Sequence, residues 1–171
     1  HGGAYIFSEP REKKDKRTIV SACLAGVRCV NYPSLVFEHE GVVEIVANQG
    51  AIPLCAEQLG GLPTPRPPVG FVGGTAEDLW TGSPGLRLVS PEGDDFTEQI
   101  MKGAWEVLRI AKLTGATRSI LNNGSPTCGV AKTSVYDAEG NLTAGEGCGV
   151  LSWLLRENGI EVIASDEWPT L

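Results

Sequence analysis

Apolar residues along the chain follow two different patterns, and the two patterns alternate. Short, nearly continuous apolar runs are typical of strands buried on both faces. Longer segments repeat apolar residues every three or four positions, which is typical of helices with one buried face. The predicted strands cover residues 18–22, 51–55, 86–90, 117–123 and 160–165. The predicted helices cover residues 38–50, 95–115 and 149–158.

The segment 95–115 has the clearest helical period. Its end is predicted at Gly115, because glycine readily adopts the left-handed conformation that follows a helix. A hairpin or excursion is predicted over residues 134–147, around Glu139-Gly140. The apolar stripe of the helix consists of Ile100, Ala104, Val107, Leu108 and Ala111.

This alternation of strands and helices predicts a single α/β domain. The expected architecture is a mostly parallel, Rossmann-like sheet flanked by helices, with the active site at the C-terminal ends of the strands. The domain is predicted over residues 18–171. Residues 1–17 are predicted to form a tail, partly of artificial origin, with a solvated basic cluster.

Composition and charge narrow the classes of partner. The 171 residues are 42% hydrophobic and 20% charged, and the net charge is −7. This charge gives no general attraction to phosphates, so a large nucleic acid is not expected without a basic partner domain. The longest apolar run is too short for a transmembrane helix, and the N-terminus lacks the order of a secretory signal. We therefore expect a cytoplasmic protein that does not bind membranes.

Cysteine is the residue type that suggests chemistry. The chain has five cysteines and only two histidines. An odd number of cysteines without an export signal argues against a disulfide framework and favours a thiol or metal role in a reducing compartment. No CxxC pair is present, which makes a zinc ribbon a poor interpretation. The five are Cys23, Cys29, Cys55, Cys128 and Cys148.

Three of these cysteines share one kind of position. Cys23, Cys55 and Cys128 each follow a predicted strand and open into a loop rich in glycine or proline. Because parallel strands end at one edge of a sheet, the three sulfurs are expected to meet there. Thiolates suit zinc or an iron–sulfur cluster, and three protein ligands would leave one metal position open for a substrate. The alternative is that they are small buried residues.

The remaining two cysteines are expected to contribute to packing. Cys29 lies in the loop after Cys23, and Cys148 comes just before the helix over residues 149–158. The dipole of that helix is expected to lower the pKa of the Cys148 thiol.

Two polar residues flank the three strand-end cysteines. Glu57 lies two residues after Cys55, and Ser125 lies three residues before Cys128. A carboxylate beside a metal site activates water as a general base, and a hydroxyl positions a carbonyl or thiocarbonyl group. The alternatives are a solvated surface charge for Glu57 and a turn residue for Ser125.

Residues 56–74 are rich in glycine and proline and are predicted to form a long functional loop. Arg66 within it is expected either to bind an acid or phosphate or to stack on the surface. Its Pro-rich part could also be a polyproline ligand for a partner domain. The sequence contains no Walker motif, and no GxGxxG pattern follows a strand, which argues against nucleoside triphosphate and NAD enzymes.

Taken together, the motifs resemble those of the DUF523 family. The matching segments are SACLAG with Cys23, LCAEQLGGLPTPRPP with Cys55, SPTCG with Cys128 and GEGCGVLSWLLRENGIEV, and the resemblance covers residues 19–167. Characterised members of that family are thiouracil desulfidases. They bind a [4Fe-4S] cluster through three cysteines and replace the sulfur of a thiolated pyrimidine with oxygen from water, without redox chemistry.

The resemblance implies a role for each matched residue. Cys23, Cys55 and Cys128 match the cluster ligands. Glu57 matches the acid of the family's Cys-Pro-Glu motif and is expected to activate water. Ser125 matches the first serine of Ser-Pro-Ser-Cys-Gly and is expected to position the substrate, a thiolated nucleobase or similar thioamide.

The chain departs from the family's motifs beside these ligands. Ala56 replaces a proline, Asn122 replaces a lysine, and residues 30–34 replace most of an Arg-Tyr-Asp-Gly motif. Two alternatives to a desulfidase therefore stay open. One is a non-catalytic iron–sulfur or zinc module that senses or stores sulfur. The other is a domain with buried cysteines that interacts through its Pro-rich loop.

Overall fold

A computed structural model describes residues 17–32 and 34–170. The predicted tail therefore lies outside the described residues, apart from residue 17. The helices are α1 (Glu40–Gln49), α2 (Ala56–Leu59), α3 (Ala76–Trp80), α4 (Thr97–Thr114) and α5 (Val150–Glu157). The strands are β1 (Thr18–Ser21), β2 (Ile52–Leu54), β3 (Gly70–Val72), β4 (Arg87–Val89), β5 (Arg118–Leu121), β6 (Lys132–Tyr136), β7 (Leu142–Glu146) and β8 (Glu161–Ala164).

The first sheet contains four parallel strands in the order β2-β1-β5-β8. Ile19 of β1 pairs with Ile52 of β2 on one side and with Ser119 of β5 on the other. The strand β5 pairs in turn with β8. The predicted class, a single α/β domain with a parallel sheet between helices, is confirmed.

Side chains of the central strands alternate between two apolar cores. Ile19 and Leu121 point into the core that also holds the buried faces of α4 and α5. Val20 and Ile120 point into the other core, which they share with Val42 of α1. The sheet is thus covered on both faces, which explains why its strands read as continuous apolar runs.

The predicted helix boundaries are close to those observed. All five residues of the predicted stripe of α4 are buried. Both α1 and α4 end at a glycine with positive φ, 71° at Gly50 and 70° at Gly115. The hairpin predicted around Glu139-Gly140 is present as the antiparallel pair β6 and β7.

A second, mixed sheet was not predicted. Its order is β4-β3-β6-β7, with β3 parallel to β6 and the other two pairs antiparallel. The predicted strand over residues 86–90 is present as β4, but it belongs to this sheet. The interpretation of residues 56–74 as a loop throughout is wrong, because they contain α2 and β3. Both elements are very short and lie in a segment whose glycine and proline content is typical of a loop.

The helix α2 is held against α4 by a close approach of two backbones. A Cβ atom at Gly103 would overlap the carbonyl oxygen of Ala56, and one at Gly60 would overlap that of Gln99. Only glycine permits these contacts, since any other residue carries a Cβ. The contact matters for function because α2 directly follows Cys55 and carries Glu57.

We predict that Gly103→Ala destabilises the protein, although glycine-to-alanine changes inside helices usually stabilise by about 1 kcal/mol. The added methyl group would push α2 away, at a cost of about 1–3 kcal/mol in the free energy of unfolding. Urea denaturation measures this quantity. Lys102→Ala, on the exposed side of the same helix, is the control and should change stability little. A Gly103→Ala protein at least as stable as wild type would contradict the packing described.

Candidate iron–sulfur site

The ends of three neighbouring strands bring the predicted cysteines together. After β1 the chain turns into a short 3-10 helix that contains Cys23. Cys55 follows β2 and is the N-cap residue of α2. Cys128 lies in the turn after β5. All three residues line one pocket of about 300 Å³ at the C-terminal edge of the parallel sheet, which is where the strand order predicted them.

Glu57 and Ser125 line the same pocket. The structure therefore places all five predicted site residues around one cavity. Their separation in sequence, from residue 23 to residue 128, is bridged by the parallel pairing of β1 with both β2 and β5. The placement fits the predicted functions, and the function of each residue stays a prediction.

The pocket also contains a fourth cysteine, which the sequence analysis assigned to packing. Cys29 is well packed, with 2% of its surface exposed, and it also lines the pocket. Its carbonyl oxygen accepts a hydrogen bond from Cys55 Sγ at 3.8 Å. The sequence signal that could have placed Cys29 in the pocket was its position in the same loop as Cys23, on the chain segment that follows β1.

The thiols of Cys29, Cys55 and Cys128 hold their protons strongly. Burial is the main factor that raises the pKa of Cys128, to about 12. The pKa of Cys29 is raised to about 11, chiefly by its hydrogen bond to Cys23. The pKa of Cys55 is raised as well, first by its hydrogen bond with Cys29 and then by burial. Binding to a metal centre would therefore release protons, because the thiolate is the ligand.

Glu57 is held in place by partners on both carboxylate oxygens. Its Oε2 accepts hydrogen bonds from Nε (3.0 Å) and Nη2 of Arg66. The Glu57 carboxylate and the Arg66 guanidinium thus form an ion pair. Its Oε1 accepts a hydrogen bond from the Thr127 hydroxyl at 3.1 Å. The side chains of Arg66 and Glu57 are only 5% and 16% exposed. The prediction of Glu57 at the site is thus compatible with the structure, whereas a freely solvated carboxylate is not.

Arg66 is buried, and its side chain binds groups of the same chain. Besides the two bonds to Glu57, Nη2 donates to the carbonyl oxygen of Cys29 at 2.8 Å. Nη1 donates to the Pro63 carbonyl at 3.2 Å and to the Thr64 hydroxyl at 3.0 Å. These five bonds match the five N–H groups of a guanidinium. The expectation that Arg66 stacks on the surface is wrong, because the side chain is buried. The acid that it binds is Glu57 of the same chain, and its burial also argues against an exposed polyproline ligand.

Ser125 braces the turn that carries Cys128. Its Oγ accepts hydrogen bonds from the backbone N–H groups of Thr127 and Cys128, both at 3.1 Å. This is the turn role that the sequence analysis gave as an alternative. The hydroxyl hydrogen is not used by either bond, so the same side chain retains a donor at the pocket.

Asn123 shapes the other side of this loop. Its Oδ1 accepts hydrogen bonds from three successive backbone N–H groups, those of Val130, Ala131 and Lys132, at 3.0–3.1 Å. The neighbouring Asn122 lines the pocket. Its backbone N–H donates to Ser21 Oγ at 3.0 Å, which ties this loop to the end of β1. Asn123 was not among the residues predicted from the sequence.

Cys148 does not line this pocket and packs against the main apolar core, as expected. The expectation of a lowered thiol pKa is wrong. Desolvation raises the pKa of Cys148, and this effect outweighs the opposing effect of Arg156.

The donors of the pocket fit an iron–sulfur cluster in their chemistry and arrangement. Three thiols from separate segments, one buried and two half-buried, surround a cavity, and thiolates are the usual ligands of such clusters. Within residues 17–32 and 34–170, no three His, Cys, Asp or Glu side chains are grouped closely enough to hold a single metal ion. A cluster does not require that grouping, because each of its thiolate ligands binds a different iron.

Comparison with known proteins identifies the family. Residues 18–167 match the 2-thiouracil desulfurase family, and the chain belongs to this family. The chain is 36% identical to an uncharacterised Bacillus subtilis protein, YbbK, over 149 residues, which are 87% of this chain and 95% of YbbK. The resemblance to DUF523 proteins is thereby confirmed.

A solved structure has the same fold. It is that of a [4Fe-4S]-dependent thiouracil desulfidase, TudS (DUF523Vcz), which superposes with a TM-score of 0.74 at 30% identity. The match covers 91% of this chain and 94% of the other. Separately, no helix in the described part of the chain is long and apolar enough to cross a membrane.

We predict that Arg66→Gln lowers the free energy of unfolding by about 3 kcal/mol, because it leaves the Glu57 carboxylate buried without its cation. Arg66→Lys should restore little of the loss, since an ammonium group has three donors and no planar fork. Urea denaturation measures both effects. Arg109→Gln on the exposed side of α4 is the matched control. Equal stability of the Arg66 and Arg109 variants would contradict the buried network.

We also predict that the protein without a cluster loses stability as pH rises from about 9 toward about 11. The unfolded chain releases thiol protons near the ordinary pKa of 9.0, whereas folded Cys29 and Cys128 retain theirs. Each retained proton contributes a slope of about 1.4 kcal/mol per pH unit. Urea midpoints across this range, under reducing conditions with a chelator, measure the effect. Cys128→Ser should reduce the slope, and a flat profile in the wild type would contradict the raised pKa values.

Proposed function

We propose that this protein is a [4Fe-4S]-dependent desulfidase that removes sulfur from a thiolated pyrimidine such as thiouracil. The reaction is hydrolytic: water supplies the oxygen that replaces sulfur, giving uracil and hydrogen sulfide without net oxidation or reduction. The main support is the convergence of Cys23, Cys55 and Cys128 on one pocket beside Glu57 and Ser125. Membership of the 2-thiouracil desulfurase family gives independent support.

Three of the pocket cysteines would hold the cluster. We assign Cys23, Cys55 and Cys128 as ligands because each follows a strand of the parallel sheet and faces the cavity. When bound, the cluster supplies a soft Lewis acid that polarises a thiocarbonyl group. Three protein ligands leave one iron free for the sulfur of the substrate.

Glu57 is proposed to accept a proton from the attacking water. Its Oε1 accepts one hydrogen bond, from Thr127, and an ionised carboxylate oxygen can accept a second. The two bonds from Arg66 fix the plane of the carboxylate, so little reorganisation is needed when water binds. Arg66 and Thr127 are positioning residues in this scheme.

Ser125 is proposed to donate a hydrogen bond to the ring of the substrate. Both of its observed side-chain bonds are accepted from backbone N–H groups, which leaves the O–H hydrogen available. The hydroxyl cannot swing away without breaking the turn that carries Cys128. Its position relative to the backbone of Cys128 is therefore fixed by the same two bonds.

The pocket suits a small ligand. Its volume of about 300 Å³, at the lower end of the range for small-molecule sites, would have to hold both the cluster and the ligand. A single thiolated nucleobase, or a similar thioamide, is the proposed partner, and a folded RNA is not, given the net charge of −7. A cytoplasmic location is proposed because free thiols and an open cluster persist in a reducing compartment.

We predict that the protein, reconstituted anaerobically with iron and sulfide, develops cluster absorption and releases sulfide from 2- or 4-thiouracil. Cys128→Ala should prevent cluster assembly. Glu57→Gln should keep the absorption and lower the rate by about 10²–10⁴, the usual contribution of a general base. Cys148→Ala is the control, because this cysteine lies outside the pocket.

The outcomes separate the proposed function from the alternative. No cluster absorption in the wild type would refute the desulfidase. A stable cluster that releases no sulfide from any thiolated base would favour a non-catalytic module that senses or stores sulfur. Sulfide release at the wild-type rate from Glu57→Gln would refute the role of Glu57 alone.

A further inference from the structure

The pocket contains one more thiol than the proposed function uses. Cys29 is buried and lines the cavity together with Cys23, Cys55 and Cys128. Its main chain is also in contact with a neighbouring thiol, because Cys55 Sγ donates to the Cys29 carbonyl oxygen at 3.8 Å. All four cysteines therefore surround one cavity, although only three are assigned as ligands.

The four cysteines differ in how firmly their backbones are held. Cys23 lies in a 3-10 helix, Cys55 caps α2, and Cys128 lies in a turn braced by Ser125. In contrast, Cys29 lies in the irregular segment between the 3-10 helix and α1. Of the four cysteines, Cys29 is thus the one whose surrounding backbone has the least regular structure.

The main chain of Cys29 is nonetheless anchored to the catalytic residues. Its carbonyl oxygen accepts the 2.8 Å bond from Arg66 Nη2, and Arg66 in turn holds Glu57. The Cys55 thiol lies 3.8 Å from the same carbonyl oxygen. The position of the Cα atom is therefore fixed beside the pocket, and rotation about the Cα–Cβ bond is enough to move the sulfur.

We propose that Cys29 is a fourth, exchangeable sulfur ligand of the cluster, which binds the remaining iron when no substrate is present. This inference rests on the proposed function. On coordination the thiol loses its proton to solvent, and it regains a proton when the sulfur of the substrate takes its place. Such a ligand would protect the iron that is otherwise most easily lost, while leaving it available to a substrate.

The test compares clusters in the wild type, Cys29→Ala, Cys29→Ser and Cys148→Ala, all reconstituted anaerobically. Two readouts are used that do not depend on turnover. The first is the change in the electron paramagnetic resonance spectrum of the reduced cluster when a small thiol such as 2-mercaptoethanol is added. The second is the rate of iron loss during mild oxidation with ferricyanide.

We expect the wild type and Cys148→Ala to respond weakly to the added thiol and to lose iron slowly. Both Cys29 variants should assemble the cluster, respond strongly to the thiol and lose the first iron several-fold faster. Cys29→Ser retains the size of the side chain but replaces the soft donor. A wild-type response from Cys29→Ser would therefore assign the effect to packing and overturn the proposal.

Three further results would overturn it. One is identical behaviour of all four proteins, and another is the absence of a cluster in the wild type. The third is loss of the cluster in Cys29→Ala together with its retention in Cys23→Ala, which would make Cys29 an obligatory ligand. Failure of this inference is distinguishable from failure of the proposed function. If the wild type releases sulfide but its spectrum matches that of Cys29→Ala, the role of Cys29 as a fourth ligand is refuted and the desulfidase function is not.

Discussion

The buried ion pair between Arg66 and Glu57 is the interaction on which the site depends. It joins the chain after β2 to the Pro-rich segment, and further bonds extend it to Cys29 and Thr127. Cys29 itself lines the pocket, Thr127 directly precedes Cys128, and Glu57 lies two residues after Cys55. An ion pair buried to this degree is stable only when its other hydrogen-bonding groups are satisfied. The five donors of Arg66 meet that condition, which makes the network rigid.

This constraint links the fold to the chemistry. The parallel sheet brings three strand ends to one edge, but strand pairing alone fixes only the backbone positions of the loops. The guanidinium then sets the orientation of Glu57, and the Ser125 hydroxyl sets the turn at Cys128. The glycine contact between α2 and α4 holds the helix that carries Glu57. The pocket is thus supported from behind by packing and from the side by hydrogen bonds.

Several features were predictable because they depend on local pattern. The helix α4 and its buried stripe follow from a hydrophobic period that is long enough to be unambiguous. The convergence of Cys23, Cys55 and Cys128 follows from their shared position after apolar strands. The short elements α2 and β3 were missed, because they lie in a segment whose glycine and proline content is typical of a loop. The other three strands of the second sheet were predicted, but their assembly into a separate sheet depends on β3 and was not.

The sequence by itself determined the longer strands and helices and the family, and it predicted which cysteines serve as sulfur donors. These properties depend on residue type and local spacing, which are present in the chain before it folds. Only the tertiary structure decided that Arg66 is buried against Glu57 and that Cys29 joins the pocket. Both depend on contacts between segments far apart in sequence, such as the Arg66 bond to Cys29. Such contacts are fixed by packing geometry, which local periodicity does not encode.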